Sequence, residues 1–279
     1  MATEQTTIAP CCVDGHIHEG TPLGSFEIIN GLRTYVVDPN PPTSGKQNVI
    51  VIISDIFGVD LLNTKLFADT WAQHEWKVYV PDFLEGDAVD HSHLKTIVPN
   101  LRDQAKATAI SKAKDAAETA ATLGPWLVTH REAVVKPLIE GFVRKLKEDP
   151  KVGKIATVGN CWGGRYALIL AQENSPVRVD CSVANHPAFL VNSDVEPITS
   201  TPCAIFKGDK DAMMTEEQLD EVESVLKGNL GEEKVHVRRY KDAVHGFTVR
   251  GDDMIESEKK QKEEAAAEGI NFVAKWFAT

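Results

Sequence analysis

The sequence predicts an α/β fold, a mainly parallel β-sheet with helices on both faces. Strand-type and helix-type segments alternate from residue 32 to the C-terminus, the pattern of a parallel sheet joined by crossover helices. The segment NVIVIIS at 48–54 is a continuous apolar run, typical of a strand covered on both faces. No repeat or low-complexity linker divides the 279 residues, so we expect a single domain over 1–279 with an irregular segment at about 1–25.

The predicted strands are short apolar runs, several of them rich in Val and Ile. They are 32–39, 48–54, 77–83, 154–159, 179–186, 203–208 and 234–240. Helical spacing of apolar residues at 61–76 and 215–228 indicates amphipathic helices between them. The Ala-rich stretch that begins near residue 103 predicts two helices, separated at 124–125 by Gly-Pro. A last helix is expected at about 255–277, where apolar residues share one face.

The composition excludes several classes of protein. A formal net charge of -11 without a cluster of Lys and Arg argues against nucleic-acid binding. No apolar run is long enough for a membrane span, and the N-terminus lacks the basic and apolar segments of a signal peptide. We therefore expect a soluble, cytoplasmic protein without nucleic-acid or membrane partners. Either a monomer or a homodimer is compatible with the sequence.

The five cysteines have no spacing of a disulfide framework. Cys181 and Cys203 lie in strand segments, which favours a structural role as small apolar residues. The adjacent Cys11 and Cys12 lack further cysteines nearby that would complete a metal site, so a structural role is favoured for them as well.

Cys161 differs from the other cysteines because it lies where a predicted strand turns into a predicted helix. In the sequence TVGNCWGGRYA, Gly159 and Gly163 bracket it as G-x-C-x-G. A sharp strand-to-helix turn needs small neighbours and exposes its middle side chain. A helix N-terminus also favours a thiolate and a developing oxyanion. The pattern predicts a nucleophile, although a buried structural cysteine could occupy the same local sequence.

A nucleophilic thiol needs a base, and the base needs an orienting acid. In parallel sheets these groups lie at the carboxyl ends of strands. One such end, GDKD, offers Asp209 or Asp211 as the acid, and another offers His245 as the base. The chain order nucleophile, acid, histidine is that of the α/β-hydrolases. The three turns together predict a Cys-His-Asp triad, whereas either aspartate alone could simply be a helix N-cap.

Five segments give the chain, from about residue 49 to the C-terminus, a resemblance to the dienelactone hydrolase family of α/β-hydrolases. They are DIFG at 55–58, VPDF at 80–83, GNCWGG at 159–164, GDKD at 208–211 and HGF at 245–247. The sequence at 11–37 is further similar to the fungal and other eukaryotic branch of that family.

The resemblance implies Cys161 as nucleophile, His245 as base and Asp211 as acid, since the family's acid follows its glycine by three residues. It also implies an oxyanion hole formed by the backbone N–H groups of Ile56 and Trp162. The implied reaction is hydrolysis of a lactone or an activated (enol) ester through a thioester, as in carboxymethylenebutenolidase. The implied partner is a small-molecule substrate, and neither a cofactor nor a metal is expected.

The resemblance extends to residues that modulate the thiol and bind substrate. Asp55 stands where bacterial members usually have a Glu that holds the resting thiol. Those members bind a substrate carboxylate with arginines, of which VPDFLEGD at 80–87 lacks one, while Arg250 is a candidate for the second. Phe57 and Phe83 are expected to line the pocket. We therefore expect a lactone or ester other than the substrate of the bacterial enzymes.

Three alternatives remain at the level of sequence. A general carboxylesterase or thioesterase would use the same triad. The H-x-H spacing of His16 and His18, repeated at His91 and His93, occurs in metal-dependent hydrolases. A binding module with this fold would typically have lost the nucleophile, the base or the glycines, and all of these are present.

Overall fold

The strands form one mixed sheet in the order β1-β2-β4-β3-β5-β6-β7-β8. The computed structural model describes residues 17–40, 42 and 45–279. Its strands are β1 (Ser25–Ile29), β2 (Leu32–Val37), β3 (Gln47–Ile53), β4 (Lys77–Pro81), β5 (Val152–Asn160), β6 (Cys181–Asn185), β7 (Cys203–Gly208) and β8 (Val235–Tyr240). The β1-β2 and β2-β4 pairs are antiparallel, and every pair from β4-β3 to β7-β8 is parallel. The predicted fold class is therefore confirmed.

Helices cover both faces of this sheet. They are α1 (Leu62–Ala72), α2 (Leu94–Ile97), α3 (Leu101–Lys106), α4 (Ala109–Thr129), α5 (Glu132–Glu148), α6 (Trp162–Ile169), α7 (Asn192–Val195), α8 (Glu216–Leu230), α9 (Phe247–Arg250) and α10 (Glu256–Phe277). Side chains of α5, α6 and α8 share one apolar core, and those of α1 and α10 share a second. Within the described residues, no helix combines the length and apolarity needed to cross a bilayer.

The apolar run of β3 is explained by these two cores. Val49, Val51 and Ile53 point into the core that contains α5, α6 and α8, whereas Ile50 and Ile52 point into the other. Successive side chains of a strand face opposite sides of the sheet, so a strand buried on both sides must be apolar throughout.

The predicted helix break at Gly124 and Pro125 is wrong, because α4 continues to Thr129. A proline inside a helix costs about 3 kcal/mol through a lost N–H and a steric clash. Packing of the next residue, Trp126, offsets this cost: its ring stacks on His130 with centroids 4.2 Å apart, and its Nε1–H donates to the Asp87 carbonyl at 2.8 Å. Tertiary contacts thus keep the helix intact.

Strand β1 is not among the strands predicted from the sequence. Four of its five residues are exposed, so the segment lacks the alternation of a half-buried strand. It nevertheless pairs with β2 through a tight turn at Asn30 and Gly31, whose φ angles are 56° and 96°. Asn-Gly is the preferred dipeptide for such a hairpin turn because both positions need positive φ. The Asn-Gly dipeptide could therefore have predicted the hairpin of β1 and β2.

Two of the cysteines have the structural environment expected for them. Cys181 in β6 and Cys203 in β7 are fully buried, and burial raises the pKa of both thiols. A thiol that resists ionisation is a poor nucleophile. Cys11 and Cys12 lie outside the described residues.

Candidate active site

Cys161 occupies a strained turn between β5 and α6, with φ 55° and ψ -118°. A non-glycine residue at positive φ is uncommon and needs support from its surroundings. The flanking glycines allow the turn: a Cβ at Gly159 would overlap the carbonyl oxygen of Gly163, and a Cβ at Gly163 would overlap that of Ile53. The G-x-C-x-G pattern therefore has the geometric cause expected from the sequence.

Backbone hydrogen bonds hold the strained turn in place. The Cys161 N–H donates to the carbonyl of Asn185 at the end of β6, at 3.0 Å. The Cys161 carbonyl in turn accepts from Ala188 at 3.0 Å and from Gly164 at 2.9 Å. The cysteine also precedes the first residue of α6, where unpaired N–H groups and the helix dipole favour negative charge. This environment suits a thiolate.

Asp211 and His245 are in direct contact. Nδ1 of His245 lies 3.0 Å and 2.9 Å from the two carboxylate oxygens of Asp211. The carboxylate is also fixed by the Met213 N–H, which donates to Oδ1 at 2.8 Å. Of the two aspartates left open by the residue pattern, Asp211 is thus the one that meets the histidine. The helix that follows is capped by Thr215 and not by either aspartate.

The turns that carry Asp211 and His245 are fastened to each other. The Lys210 N–H donates to the Ala243 carbonyl at 3.0 Å, and the Asp242 N–H donates to Oδ1 of Asp209 at 2.6 Å. A Cβ at Gly208 would overlap the Ala243 carbonyl, so only glycine permits this approach. Asp209 therefore does not contact His245 but helps to hold the two turns together through its hydrogen bond with Asp242.

The charge state of His245 follows from its neighbours. Burial alone would lower the pKa of the imidazole, but the nearby charges of Cys161 and Asp211, together with the hydrogen bond to Asp211, raise it to about 10. Its second nitrogen, Nε2, is buried without an aligned hydrogen bond among the described residues. The site therefore favours an imidazolium, whose Nε2–H can take part in proton transfer.

His186, which the sequence analysis did not single out, lies against His245 with ring centroids 4.9 Å apart. It follows the end of β6, and its Nε2 is 2.8 Å from Oγ1 of Thr248. Burial, together with the positive charges of His245 and Arg250, lowers its pKa well below the usual value. A neutral ring here avoids repulsion with the charged histidine. In the sequence, His186 ends a predicted strand that lies between the strand before Cys161 and the strand before Asp211. This position could have identified it as a site residue.

The predicted oxyanion donors lie on two segments beside the cysteine. Trp162 is the first residue of α6, where the geometry of a helix leaves its N–H without an intrahelical partner. Ile56 lies on the turn after β3, and its carbonyl accepts from Val89 at 2.8 Å. The same turn is tightened by the Phe57 N–H, which donates to Oδ1 of Asp55 at 2.9 Å. These hydrogen bonds fix the turn that carries Ile56.

Asp55 forms a buried ion pair with Arg250, through Oδ2 and Nη1. The guanidinium lies over the Phe57 ring, 5.3 Å from its centroid. Nε and Nη2 of Arg250 are buried without hydrogen-bond partners among the described residues. The predicted thiol-modulating carboxylate and the predicted substrate-binding arginine are thus partners of each other, and two guanidinium donors remain available.

The two aromatic residues expected in the substrate pocket are both fully buried in the apolar core. Phe83 packs edge-on against Phe142 with centroids 5.7 Å apart. Phe57 lies closer to the polar residues of the site, between Arg250 and His91. Phe57 is therefore the better placed of the two to contact a substrate.

The histidines of the metal-site alternative have other contacts. Nε2 of His91 lies 3.1 Å from the Phe57 carbonyl, and Nδ1 of His93 lies 3.1 Å from Glu118. His18 pairs with Asp253 at 2.6 Å, whereas His16 lies outside the described residues. Within the part of the chain that the structure describes, no three His, Cys, Asp or Glu side chains are grouped so as to hold a metal ion.

The chain is similar to known proteins over most of its length. The model of the dienelactone hydrolase family matches residues 32–279. The hydrolase pyvD of Aspergillus violaceofuscus is 27% identical over 98% of this chain and 97% of its own length. The carboxymethylenebutenolidase homolog of Rattus norvegicus is 26% identical over 96% and 97%. A putative dienelactone hydrolase of Klebsiella pneumoniae has the same fold, with a TM-score of 0.59, 18% identity and coverage of 89% and 93%.

Proposed function

The chain belongs to the dienelactone hydrolase family, and from this premise we propose that it hydrolyses lactones or activated esters through a thioester on Cys161. Membership of the family makes the protein a carboxylic ester hydrolase. The proposal is carried by one constellation, in which a strained cysteine after β5 adjoins a histidine held by both oxygens of an aspartate. This is the nucleophile, base and orienting group that acyl transfer requires.

The first step is attack of the Cys161 thiolate on the acyl carbon. The S–C bond forms while the electron pair of the C=O bond moves onto oxygen. The N–H groups of Ile56 and Trp162 then stabilise the resulting oxyanion. The positive charge of His245 is already present and stabilises the attacking sulfur electrostatically.

The second step expels the leaving oxygen. The C–O bond of the lactone or ester breaks, its electron pair goes to the leaving oxygen, and His245 supplies the proton through Nε2. A thiolate is itself a good leaving group, so collapse favours the product only when the competing oxygen leaves readily, as an enolate does. The mechanism therefore suits activated lactones and enol esters better than amides.

Hydrolysis of the thioester completes the cycle. Neutral His245 takes a proton from water, the resulting hydroxide attacks the thioester carbon, and collapse releases the carboxylic acid and the Cys161 thiolate. Asp211 stabilises each imidazolium that forms and fixes the ring so that Nε2 faces the reacting atoms.

We expect neutral substrates to be preferred over carboxylates. Arg250 is already paired with Asp55 in a buried position, so an anionic substrate would have to displace a buried carboxylate. Nε and Nη2 of Arg250 can still donate to an uncharged oxygen of the substrate. The absence of an arginine in VPDFLEGD points in the same direction.

The test is hydrolysis of a panel of neutral and anionic lactones, enol esters and p-nitrophenyl esters. Wild type is compared with Cys161→Ala and with Cys181→Ala, which removes a buried thiol elsewhere in the sheet. We expect Cys161→Ala to lower kcat by about 10³-fold or more, since loss of a nucleophile costs at least that in related triads. Cys181→Ala should retain wild-type activity.

Equal activity of wild type and Cys161→Ala would contradict the thiol mechanism. Rapid turnover of simple alkyl esters or thioesters, with none of lactones or enol esters, would instead favour a general carboxylesterase or thioesterase with the same triad.

A further inference from the structure

A cavity of about 870 Å³ lies among α2, α3 and α4, outside the residues assigned to the triad. Its walls are largely apolar and include Ile97, Ala120, Leu123, Leu127, Phe189 and Met213. A volume of this order is typical of a small-molecule site, which is usually a concave, mostly apolar space of several hundred Å³.

One wall residue is hydrogen-bonded to the proposed triad, and a second is the chain neighbour of a residue that is. The Met213 N–H donates to Oδ1 of Asp211 at 2.8 Å. Phe189 follows Ala188, whose N–H donates to the Cys161 carbonyl at 3.0 Å. Part of the cavity wall therefore belongs to the same backbone segments that position the nucleophile and the acid.

A single segment separates this cavity from His245. Ile97 and Pro99 line the large cavity, while Val98 lines a small one of about 30 Å³ that also contains His245. A space of about 30 Å³ corresponds to roughly one water molecule. The small cavity thus has room for little more than the reacting carbonyl group, whereas the adjoining large one has room for the bulk of a substrate.

Phe189 has a conformation that apolar packing does not explain. Its φ is 60°, and 42% of its surface is exposed. A bulky residue at positive φ is a steric outlier, and such outliers cluster at ligand sites. An exposed aromatic residue in this conformation is the arrangement expected of a wall that a ligand covers.

The charged residues of the cavity are balanced in number. Lys95 and Lys112 contribute positive charge, and Asp103 and Asp115 contribute negative charge. A cavity without excess charge gives no electrostatic reason for an ionised group to leave water, whereas removal of an apolar group from water is favourable. The occupant favoured by these walls is uncharged.

We propose that this cavity binds an uncharged aromatic or alicyclic group of the ester or lactone substrate, with α4, Phe189 and Met213 as the specificity-determining wall. The inference rests on the proposed hydrolase function and names the substrate class for it: a neutral ester with a ring system larger than a single benzene ring. Smaller esters would reach the triad without filling the cavity.

The test fills the cavity from α4. Ala120→Trp places an indole into the cavity, and Ala121→Trp, at the next exposed alanine and outside the wall, is the matched control. Each variant is assayed with phenyl and 2-naphthyl acetate, and with p-nitrophenyl acetate and p-nitrophenyl 2-naphthoate, so that ring size varies on each side of the ester. Thermal unfolding checks that both variants are folded.

We expect Ala120→Trp to lower kcat/KM at least tenfold for a naphthyl substrate, mainly through KM, and less than twofold for the smaller esters. Ala121→Trp should change every value less than twofold. Equal losses for large and small esters, or no loss for the large ones, would overturn the inference.

Binding separates this inference from the hydrolase proposal. Wild type should bind 2-naphthol in a calorimetric titration, and Ala120→Trp should weaken the affinity at least tenfold while Ala121→Trp leaves it unchanged. If wild type binds 2-naphthol but hydrolyses no ester, the proposed function fails and the cavity assignment stands. If wild type does not bind 2-naphthol, the cavity assignment fails whatever the hydrolysis assays give.

Discussion

Because the ion pair between Asp55 and Arg250 is buried, we expect removal of one partner to destabilise the protein more than the same change in an exposed ion pair. In Asp55→Asn, the remaining side-chain oxygen can still accept from the Phe57 N–H, as Oδ1 does now at 2.9 Å. The amide nitrogen, however, would face the guanidinium in place of Oδ2. The Arg250 side chain is only 3% exposed and would lose its counter-ion.

The magnitude follows from that burial. Removing one partner of a buried ion pair leaves an uncompensated charge and costs about 3–5 kcal/mol. The matched control is Asp60→Asn, because Asp60 also pairs with an arginine, at 2.9 Å and 2.7 Å from the two terminal nitrogens of Arg33. Those side chains are 59% and 42% exposed, so the control should cost about 0–1 kcal/mol.

Urea unfolding at neutral pH measures both losses as changes in the free energy of unfolding. The double variant Asp55→Asn/Arg250→Met removes both charges and should be more stable than Asp55→Asn alone, since replacing both partners of a buried pair is often near neutral. If Asp55→Asn costs no more than Asp60→Asn, the reasoning from burial is refuted.

Three further predictions concern the proposed triad and its turns. The raised pKa of His245 keeps its ring protonated through neutral pH, so kcat/KM should fall only as pH rises through about 10; an alkaline limb near pH 6.5 in the pH profile would contradict this. Asp211→Asn should lower kcat by about 10³-fold or more, whereas Asp209→Asn, which changes a residue outside the contact with the ring, should stay within tenfold in the same assay. Gly159→Ala should prevent formation of the turn and abolish activity. Gly228→Ala, where a Cβ meets open space in α8, should instead raise the free energy of unfolding, measured in urea, by about 0.5–1 kcal/mol. An active Gly159→Ala variant would contradict the steric role of Gly159.

The features of the site that could be predicted from sequence are those with a local geometric requirement. The glycines around Cys161 are needed because any Cβ would overlap a neighbouring backbone oxygen, and this need appears in the sequence as G-x-C-x-G. The residue pattern left Asp209 and Asp211 as candidates for the acid, and only the resemblance to the dienelactone hydrolase family favoured Asp211. The structure shows Asp211 on the histidine and Asp209 on the turn beside it.

The features that the sequence analysis missed depend on contacts between distant segments. The continuation of α4 through Pro125 depends on the packing of Trp126 against His130 and Asp87. His186 acquires its place beside His245 only because β6 lies between β5 and β7 in the sheet. The ion pair of Asp55 joins residues 195 positions apart, a separation that no local pattern encodes.

The central claim is that Cys161 carries the acyl group during turnover. The most direct measurement is acid quenching of the enzyme during hydrolysis of an activated ester, followed by mass spectrometry of its peptides. The account predicts an adduct with the mass of the acyl group on the peptide that contains Cys161, absent from Cys161→Ala. An acyl adduct on a different residue, or full turnover by Cys161→Ala, would contradict it.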